Sequence, residues 1–290
     1  MNIFWFTLYN SIIYPIIVSV AFFFSIFSPK IRKSIVGRFQ TIRKIKNYLN
    51  SNNIKDDIYW FHVASLGEFY QIKPIIEGIK KAKRENINFV SFSSPSGMNY
   101  ATSDAIDLKF YLPFDFPWSI QKALKLVKPK KIIFSTYDLW PNLLWLSKVE
   151  NIHLNITAVK IEDHSIKFKP LIMNFYRTIY RLFDTIYTVT KEDKKRLCKI
   201  LGSRNIPIVS SYGNPRFDYV YDSAKQLLSH NPPLLEREQI IVVGSSHRQD
   251  DYHLIPALIN LIVKFPQLRI IHSPHDPSVN EIKKIQNNYL

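Results

Sequence analysis

The sequence predicts a parallel α/β fold laid out in two units, and three observations carry that expectation. Runs rich in β-branched and aromatic residues alternate with runs of helical apolar spacing, the order a parallel sheet with crossover helices requires. The succession of strand, small-residue turn and helix occurs early in each unit, through Val63-Ala64-Ser65-Leu66-Gly67-Glu68 and again through Val243-Gly244-Ser245-Ser246-His247. Finally, 290 residues with 46% hydrophobic side chains can fill one large core or two ordinary ones.

The elements follow in order. Ile58-Tyr59-Trp60-Phe61-His62-Val63 reads as the first strand, and residues 71–83 as a helix with Ile72, Ile75, Ile76 and Ile79 on one face. Ile87-Asn88-Phe89-Val90-Ser91-Phe92 is the second strand, ending in the turn Ser93-Ser94-Pro95-Ser96-Gly97. Strands are expected at Phe110-Tyr111-Leu112, Lys131-Ile132-Ile133-Phe134, residues 152–156, Ile186-Tyr187-Thr188-Val189 and Ile208-Val209-Ser210. Helices are expected at 118–127, from about Pro141, at 171–182 and at 191–200. A polar, proline-bearing segment ending at Asn231-Pro232-Pro233 leads into the second unit. There Ile240-Ile241-Val242-Val243, a helix over 250–265 and Leu268-Arg269-Ile270-Ile271-His272 form one β-α-β succession. Strand order cannot be read from these signals. The expected division is 1–29 as a membrane anchor, 30–215 as an N-terminal Rossmann-like domain and 216–290 as a partial C-terminal Rossmann-like domain.

The anchor is read from the N-terminus, where no charged side chain precedes Lys30 and residues 3–27 are almost wholly apolar. That length can span a bilayer, although Asn10 and Pro15 also suit a kinked or half-inserted helix. Lys30, Arg32, Lys33, Arg38, Arg43, Lys44 and Lys46 follow, which places the rest of the chain on the cytoplasmic face against anionic lipid. Lysine and arginine total 39 against 23 acids, a formal +16, so anionic partners are expected. The single Cys198 excludes an intramolecular disulfide framework.

Two positions suggest chemistry. Glu68 stands at the mouth of the first helix, where a carboxylate can serve as a general base or simply complement the helix dipole. Gly244-Ser245-Ser246-His247 directs backbone N–H groups and a helix terminus at an anion, though a serine N-cap has the same pattern. His272-Ser273-Pro274-His275-Asp276 has metal-ligand residue types, but two histidines and an acid at a strand end more often act as donors. Trp140 and Trp145 read as core or cleft wall.

Taken in order, these segments resemble the 3-deoxy-D-manno-octulosonic acid (Kdo) transferases, membrane-anchored GT-B glycosyltransferases of lipopolysaccharide synthesis. The resemblance rests on Gly37-Arg38, His62 through Glu68, Ser94-Pro95-Ser96-Gly97 and Tyr111-Leu112-Pro113-Phe114-Asp115. It continues in Asp138-Leu139-Trp140-Pro141-Asn142, Gly213-Asn214-Pro215-Arg216-Phe217-Asp218, Gly244-Ser245-Ser246-His247 and Pro274-His275-Asp276-Pro277. It implies a GT-B fold and inverting transfer of Kdo from CMP-Kdo to a lipid A precursor such as lipid IVA. It also implies no metal or further cofactor, and a bacterial inner-membrane location. Glu68 corresponds to the catalytic base. Ser65, Gly67, Ser94, Ser96 and Asp138 become acceptor-side candidates. Gly213, Asn214, Arg216, Gly244, Ser245, Ser246, His247 and His275 become donor-side candidates. The expected partners are CMP-Kdo, the lipid acceptor and membrane lipids, with no nucleic acid.

The chain departs from the family pattern in three places. Thr136-Tyr137-Asp138 stands where many members carry two glutamates, His275 stands in place of an arginine, and the segments that complete the donor site would lie beyond Leu290, so a C-terminally truncated chain is expected. Another GT-B transferase, a nucleotide-sugar epimerase and a basic nucleic-acid-binding protein are the alternative readings.

Overall fold

The computed structural model describes residues 2–54, 56–203, 206–230, 239–275 and 277–289. The chain forms two compact units, Met1–Ala224 and Lys225–Leu290.

The first unit opens with α1 (Ile3–Leu8), a π-helical stretch (Tyr9–Ile13), α2 (Tyr14–Phe27) and α3 (Pro29–Ser51). Then come β1 (Ile58–Val63), α4 (Leu66–Ala82), β2 (Ile87–Phe92), α5 (Pro95–Tyr100), β3 (Leu108–Tyr111), α6 (Pro117–Val127), β4 (Lys131–Ser135) and α7 (Pro141–Val149). They are followed by β5 (His153–Val159), a 3-10 turn (Ile166–Phe168), α8 (Pro170–Tyr180), β6 (Thr185–Thr188), α9 (Lys191–Leu201) and β7 (Ile208–Ser211), and then by α10 (Arg216–His230), whose residues up to Ala224 belong to the first unit. The seven strands are all parallel, in the order β3-β2-β1-β4-β5-β6-β7.

Side-chain parity along the strands explains the two layers, because alternate residues of a strand face opposite sides. Trp60, Phe89, Ile132 and Phe134 enter one core with Ile120, Leu144 and Trp145. Their neighbours Phe61, Val90, Phe92 and Ile133 enter the other, against Phe69, Ile72 and Ile76 of α4. Both faces are therefore apolar, as a sheet covered on both sides requires.

Gly37 in α3 illustrates how closely that helix is seated. A Cβ at this position would lie 2.1 Å from Cδ2 of the buried Tyr111 ring, so only glycine admits the ring against the helix.

The N-terminal apolar segment belongs to the first unit and packs one side on it. Trp5, Tyr9 and Tyr14 are buried in the main core. The Trp5 indole N–H donates to Asn174 Oδ1 at 2.8 Å, Tyr9 donates to Asp115 Oδ2 at 2.9 Å, and the Asp115 N–H donates to the Tyr14 hydroxyl at 2.5 Å. Asn10 and Asn142 exchange side-chain amide hydrogen bonds of 3.1 and 2.7 Å. Asn10, which at the sequence level weakens a spanning helix, is thus satisfied by protein.

The polar segment that follows Arg216, for which no helix is expected from the sequence, is helical through His230. One of its two tyrosines explains why: Tyr219 stacks on Tyr70 of α4 with ring centroids 4.8 Å apart, and Lys73 lies 5.4 Å above the Tyr219 ring. Asn231-Pro232-Pro233 and Asp276 lie outside the described residues.

In the second unit β8 (Ile240–Ser246) and β9 (Arg269–Pro274) pair in parallel. α11 (Arg248–Lys264) and α12 (Val279–Tyr289) accompany them, burying Ile255, Leu258 and Ile285.

Candidate active site

The chain reverses its direction of travel across the sheet between β1 and β4. From β1 it goes outward to β2 and β3, then returns to β4 and moves the other way. Loops diverge at such a point and leave a crevice at the carboxyl ends of the strands. The loops after β1, β2 and β4 bring Glu68, Ser93 and Asp138 there.

Ser65 is the N-cap of α4, and its Oγ accepts a long 3.5 Å bond from the Glu68 N–H. Glu68 reaches back so that Oε2 accepts the Ala64 N–H at 2.8 Å. This resembles a capping box shifted by one residue, so the helix-terminus role weighed from sequence is real. It uses one carboxylate oxygen. Oε1 has no hydrogen-bond partner among the described residues. Burial raises the Glu68 pKa, the Ala64 N–H pulls it down, the Asp138 charge raises it and His62 lowers it, with a net rise.

Asp138, in the loop after β4, is fixed by a relay of side chains from β1 and β2. Trp60 Nε1 donates to Ser91 Oγ at 2.7 Å, and Ser91 Oγ lies 2.9 Å from His62 Nδ1. His62 Nε2 lies 3.0 Å from Asp138 Oδ2, which also accepts from Ser93 Oγ at 2.5 Å. An acceptor-only carboxylate selects the Nε2–H tautomer of His62, leaving Nδ1 to accept from Ser91. Burial alone would raise the Asp138 carboxyl, but its hydrogen bonds to His62 and Ser93 outweigh that and hold it at about 2.

Because Asp138 sits below its ordinary value of 3.8, its contribution to stability is present above about pH 4 and is lost as pH falls through about 2. The side chain is 24% exposed, so about 1 to 2 kcal/mol is a reasonable scale after solvent screening. Asp138→Asn should therefore lower the urea midpoint at neutral pH, with the gap from wild type closing toward pH 2. A gap that does not change with pH would show that the carboxylate charge is not what His62 holds.

Thr136, two residues before Asp138, has φ +59°. A β-branched residue in the left-handed region is strained. It is held by its N–H to Thr157 O at 2.9 Å and by Oγ1 to Gln71 Oε1 at 2.6 Å.

The other candidates fall into two sets. Arg216 Nη2 donates to Gly67 O at 2.7 Å and its backbone N–H donates to Asn214 Oδ1 at 3.0 Å, so Arg216 and Asn214 stand beside the Glu68 turn of the first unit. Gly213, at φ +86°, makes the turn that enters α10. Ser94 occupies the N-cap position of the short α5 without a side-chain bond to the helix backbone, and its Oγ lies 2.9 Å from Ser96 Oγ.

In the second unit Gly244 ends the regular part of β8, before a register shift, and Ser245 has φ +60°. Ser245 Oγ lies 2.9 Å from His275 Nδ1, and the His275 and His247 rings are 4.4 Å apart. Ser246 is buried, its Oγ 2.7 Å from His272 Nε2, which also lies 3.0 Å from Asp251 Oδ1. His272 is thus a hydrogen-bonding hub. Among the described residues no group of three or more His, Cys, Asp or Glu side chains is placed to hold a metal ion.

Sequence reasoning missed the roles of His62, Ser91 and Ser93. One signal was available: His62 and Ser91 are polar residues within otherwise apolar strands, and both are fully buried.

Known proteins resemble this chain in fold and in sequence. The fold is close to that of the UDP-GlcNAc 2-epimerase from Neisseria meningitidis, with a TM-score of 0.56 at 13% identity over 81% of this chain and 69% of that one. The S. aureus MnaA-UDP structure gives 0.52 at 12% identity, covering 81% of this chain and 66% of that one. At such identities the likeness is one of fold alone, the GT-B type of parallel α/β unit. In sequence, the chain is 26% identical over 239 residues to the 3-deoxy-D-manno-octulosonic acid transferase of Aquifex aeolicus, covering 82% of this chain and 60% of that protein. It is 24% identical over 274 residues to the Haemophilus influenzae protein of the same name, covering 91% of this chain and 61% of that protein. The chain thus spans about three fifths of the length of these relatives. The family model described as 3-Deoxy-D-manno-octulosonic-acid transferase (kdotransferase) matches residues 33–219, from α3 through the crevice to the start of α10, and the chain belongs to that family.

Proposed function

We propose that this protein is an inverting glycosyltransferase that moves Kdo from CMP-Kdo to a hydroxyl of a lipid A precursor, with Glu68 as the general base. The observation that carries the reading is Glu68 itself. One oxygen is pinned by the Ala64 N–H, the other has no partner among the described residues, and the pKa is raised, so the group is both positioned and basic. In the step, Glu68 takes the acceptor hydroxyl proton as that oxygen bonds to the anomeric carbon of Kdo. The bond from that carbon to the CMP phosphate breaks, and CMP leaves with the electron pair. Asp138 remains ionised at the crevice wall, which disfavours ionisation of Glu68 and strengthens it as a base. Ser245, His247 and His275, with the N-terminus of α11, supply donors suited to the phosphate. No metal or further cofactor is invoked.

The same reading places the protein on a membrane. Residues Ile3–Phe27 are long and apolar enough to cross one, but a helix held laterally by Trp5, Tyr9, Asn10 and Tyr14 cannot pass through a bilayer unless the domain enters with it. The 14 residues of α2 measure about 21 Å, short of the roughly 30 Å hydrocarbon core. Half-insertion into one leaflet fits better than a span, with Phe23, Phe24 and Phe27 exposed to lipid and Lys30, Arg32 and Lys33 at the headgroups.

The test is a transfer assay with the full-length protein, CMP-Kdo and lipid IVA in mixed micelles. The expected product is the acceptor heavier by one or more Kdo units. Interconversion of a UDP-sugar without Kdo transfer would instead support the epimerase reading.

A further inference from the structure

Two apolar grooves flank Trp140 where α1 to α3 meet the crevice. One, of about 280 Å³, runs between α2 and α3 and is lined by Val18, Ala21, Ile31, Ile35 and Phe114. The other, of about 500 Å³, runs between the N-terminal segment and α8 and is lined by Leu8, Ile13, Leu171, Ile172 and Phe175. Ile17 and Trp140 belong to both. Each groove has an end in the active-site crevice: Ser93 and Ser94 line the first, and Asp138 lines the second.

We infer that these grooves hold two acyl chains of one anionic lipid, astride Ile17 and Trp140, and deliver its polar end to the crevice. The chemistry of the walls selects this occupant. A molecule filling either groove and reaching the Ser93–Asp138 cluster must be apolar at one end and polar at the other. Lys30 and Arg38 line the first groove, which selects an anionic head. Arg38 is held in place by Nη1, which donates to Leu112 O at 3.1 Å, and its guanidinium carbon lies 5.1 Å from the Trp140 ring centroid. Burial lowers its pKa against the pull of Tyr14, Asp138 and Asp115, yet a guanidinium keeps its charge.

Access is the second argument. Carrying an acyl chain through water is unfavourable for every methylene exposed. α2 forms a wall of both grooves, through Ile17 and its neighbours, while it exposes Ile16, Val20, Phe23, Phe24 and Phe27 elsewhere on its surface. A chain can therefore pass from bilayer to groove around α2 without crossing bulk water. The inference rests on the transferase reading only for the use made of the polar end.

The test uses the full-length protein on phosphatidylcholine vesicles containing phosphatidic acid with a photoactivatable diazirine on each chain. After irradiation, mass spectrometry should find label on Ile17 or Val18 and on Trp140. Ala21→Trp, which fills the first groove, should reduce label on Val18 and Ile35 at least about tenfold while label on outward-facing Phe23 and Phe27 persists. Ile31→Trp from the opposite wall should do the same, so that misfolding of one variant does not decide the matter. Diacylglycerol carrying the same diazirines should label the first groove several-fold less. Label confined to Phe23 and Phe27, or groove label unchanged in both variants, would overturn the inference. Kdo transfer without groove label would sink the grooves alone, and groove label without Kdo transfer would sink the transferase reading alone.

Discussion

Glu68→Gln is expected to lower turnover by at least about a hundredfold, the usual scale for losing general-base assistance, in an assay of Kdo transfer by the full-length protein. The amide can still accept the Ala64 N–H and cap α4, so the thermal melting temperature should change little. It cannot take a proton. Donor affinity, measured by calorimetry with CMP, should stay within about threefold of wild type, because the base acts on the acceptor. The acid limb of the wild-type rate profile should lie above the ordinary glutamate value of 4.5, because burial and Asp138 raise the Glu68 pKa and the base form is lost as pH falls through it. Near-normal turnover in the variant would leave Glu68 as a helix cap and nothing more.

The largest loss of stability is expected from Asp115→Ala. Asp115 is completely buried between the N-terminal segment and α7. Its carboxylate accepts from Tyr9 at 2.9 Å and from the Asn142 and Leu143 N–H groups at 3.0 Å each, so it caps α7 and holds the N-terminal segment at once. Alanine leaves these donors buried without a partner, at about 1 to 3 kcal/mol each if none relaxes. A total of about 3 to 5 kcal/mol is the expected fall in unfolding free energy, read from urea denaturation. Burial pushes the Asp115 carboxyl up to about 7, against the pull of Asn142, Tyr9 and Leu143. An acid raised in the fold binds its proton more tightly there, so wild type should gain stability relative to Asp115→Asn as pH falls from about 7 to 4. A loss under about 1 kcal/mol in the alanine variant would show that the N-terminal segment is held by apolar contacts alone.

Strands of the first unit were legible because each carries its own signal: β1 and β2 occupy the runs their β-branched and aromatic residues mark. α10 was not legible, because what stabilises it lies elsewhere in the chain, in Tyr70 stacking on Tyr219. The N-terminal segment shows the same limit. Its apolar length was plain, but the partners of Trp5, Tyr9 and Asn10 are Asn174, Asp115 and Asn142, more than a hundred residues away.

What the sequence determined by itself was therefore the alternation of strands and helices, the placement of Glu68 in the first turn of α4 and the family motifs. Each depends on residues near one another in the chain. Only the tertiary structure decided the strand order, the crevice between β1 and β4, and the relay from Trp60 through Ser91 and His62 to Asp138. These depend on parallel crossovers that bring β2, β1 and β4 side by side, and a crossover joins strands far apart in sequence without leaving a local pattern of which strands it joins.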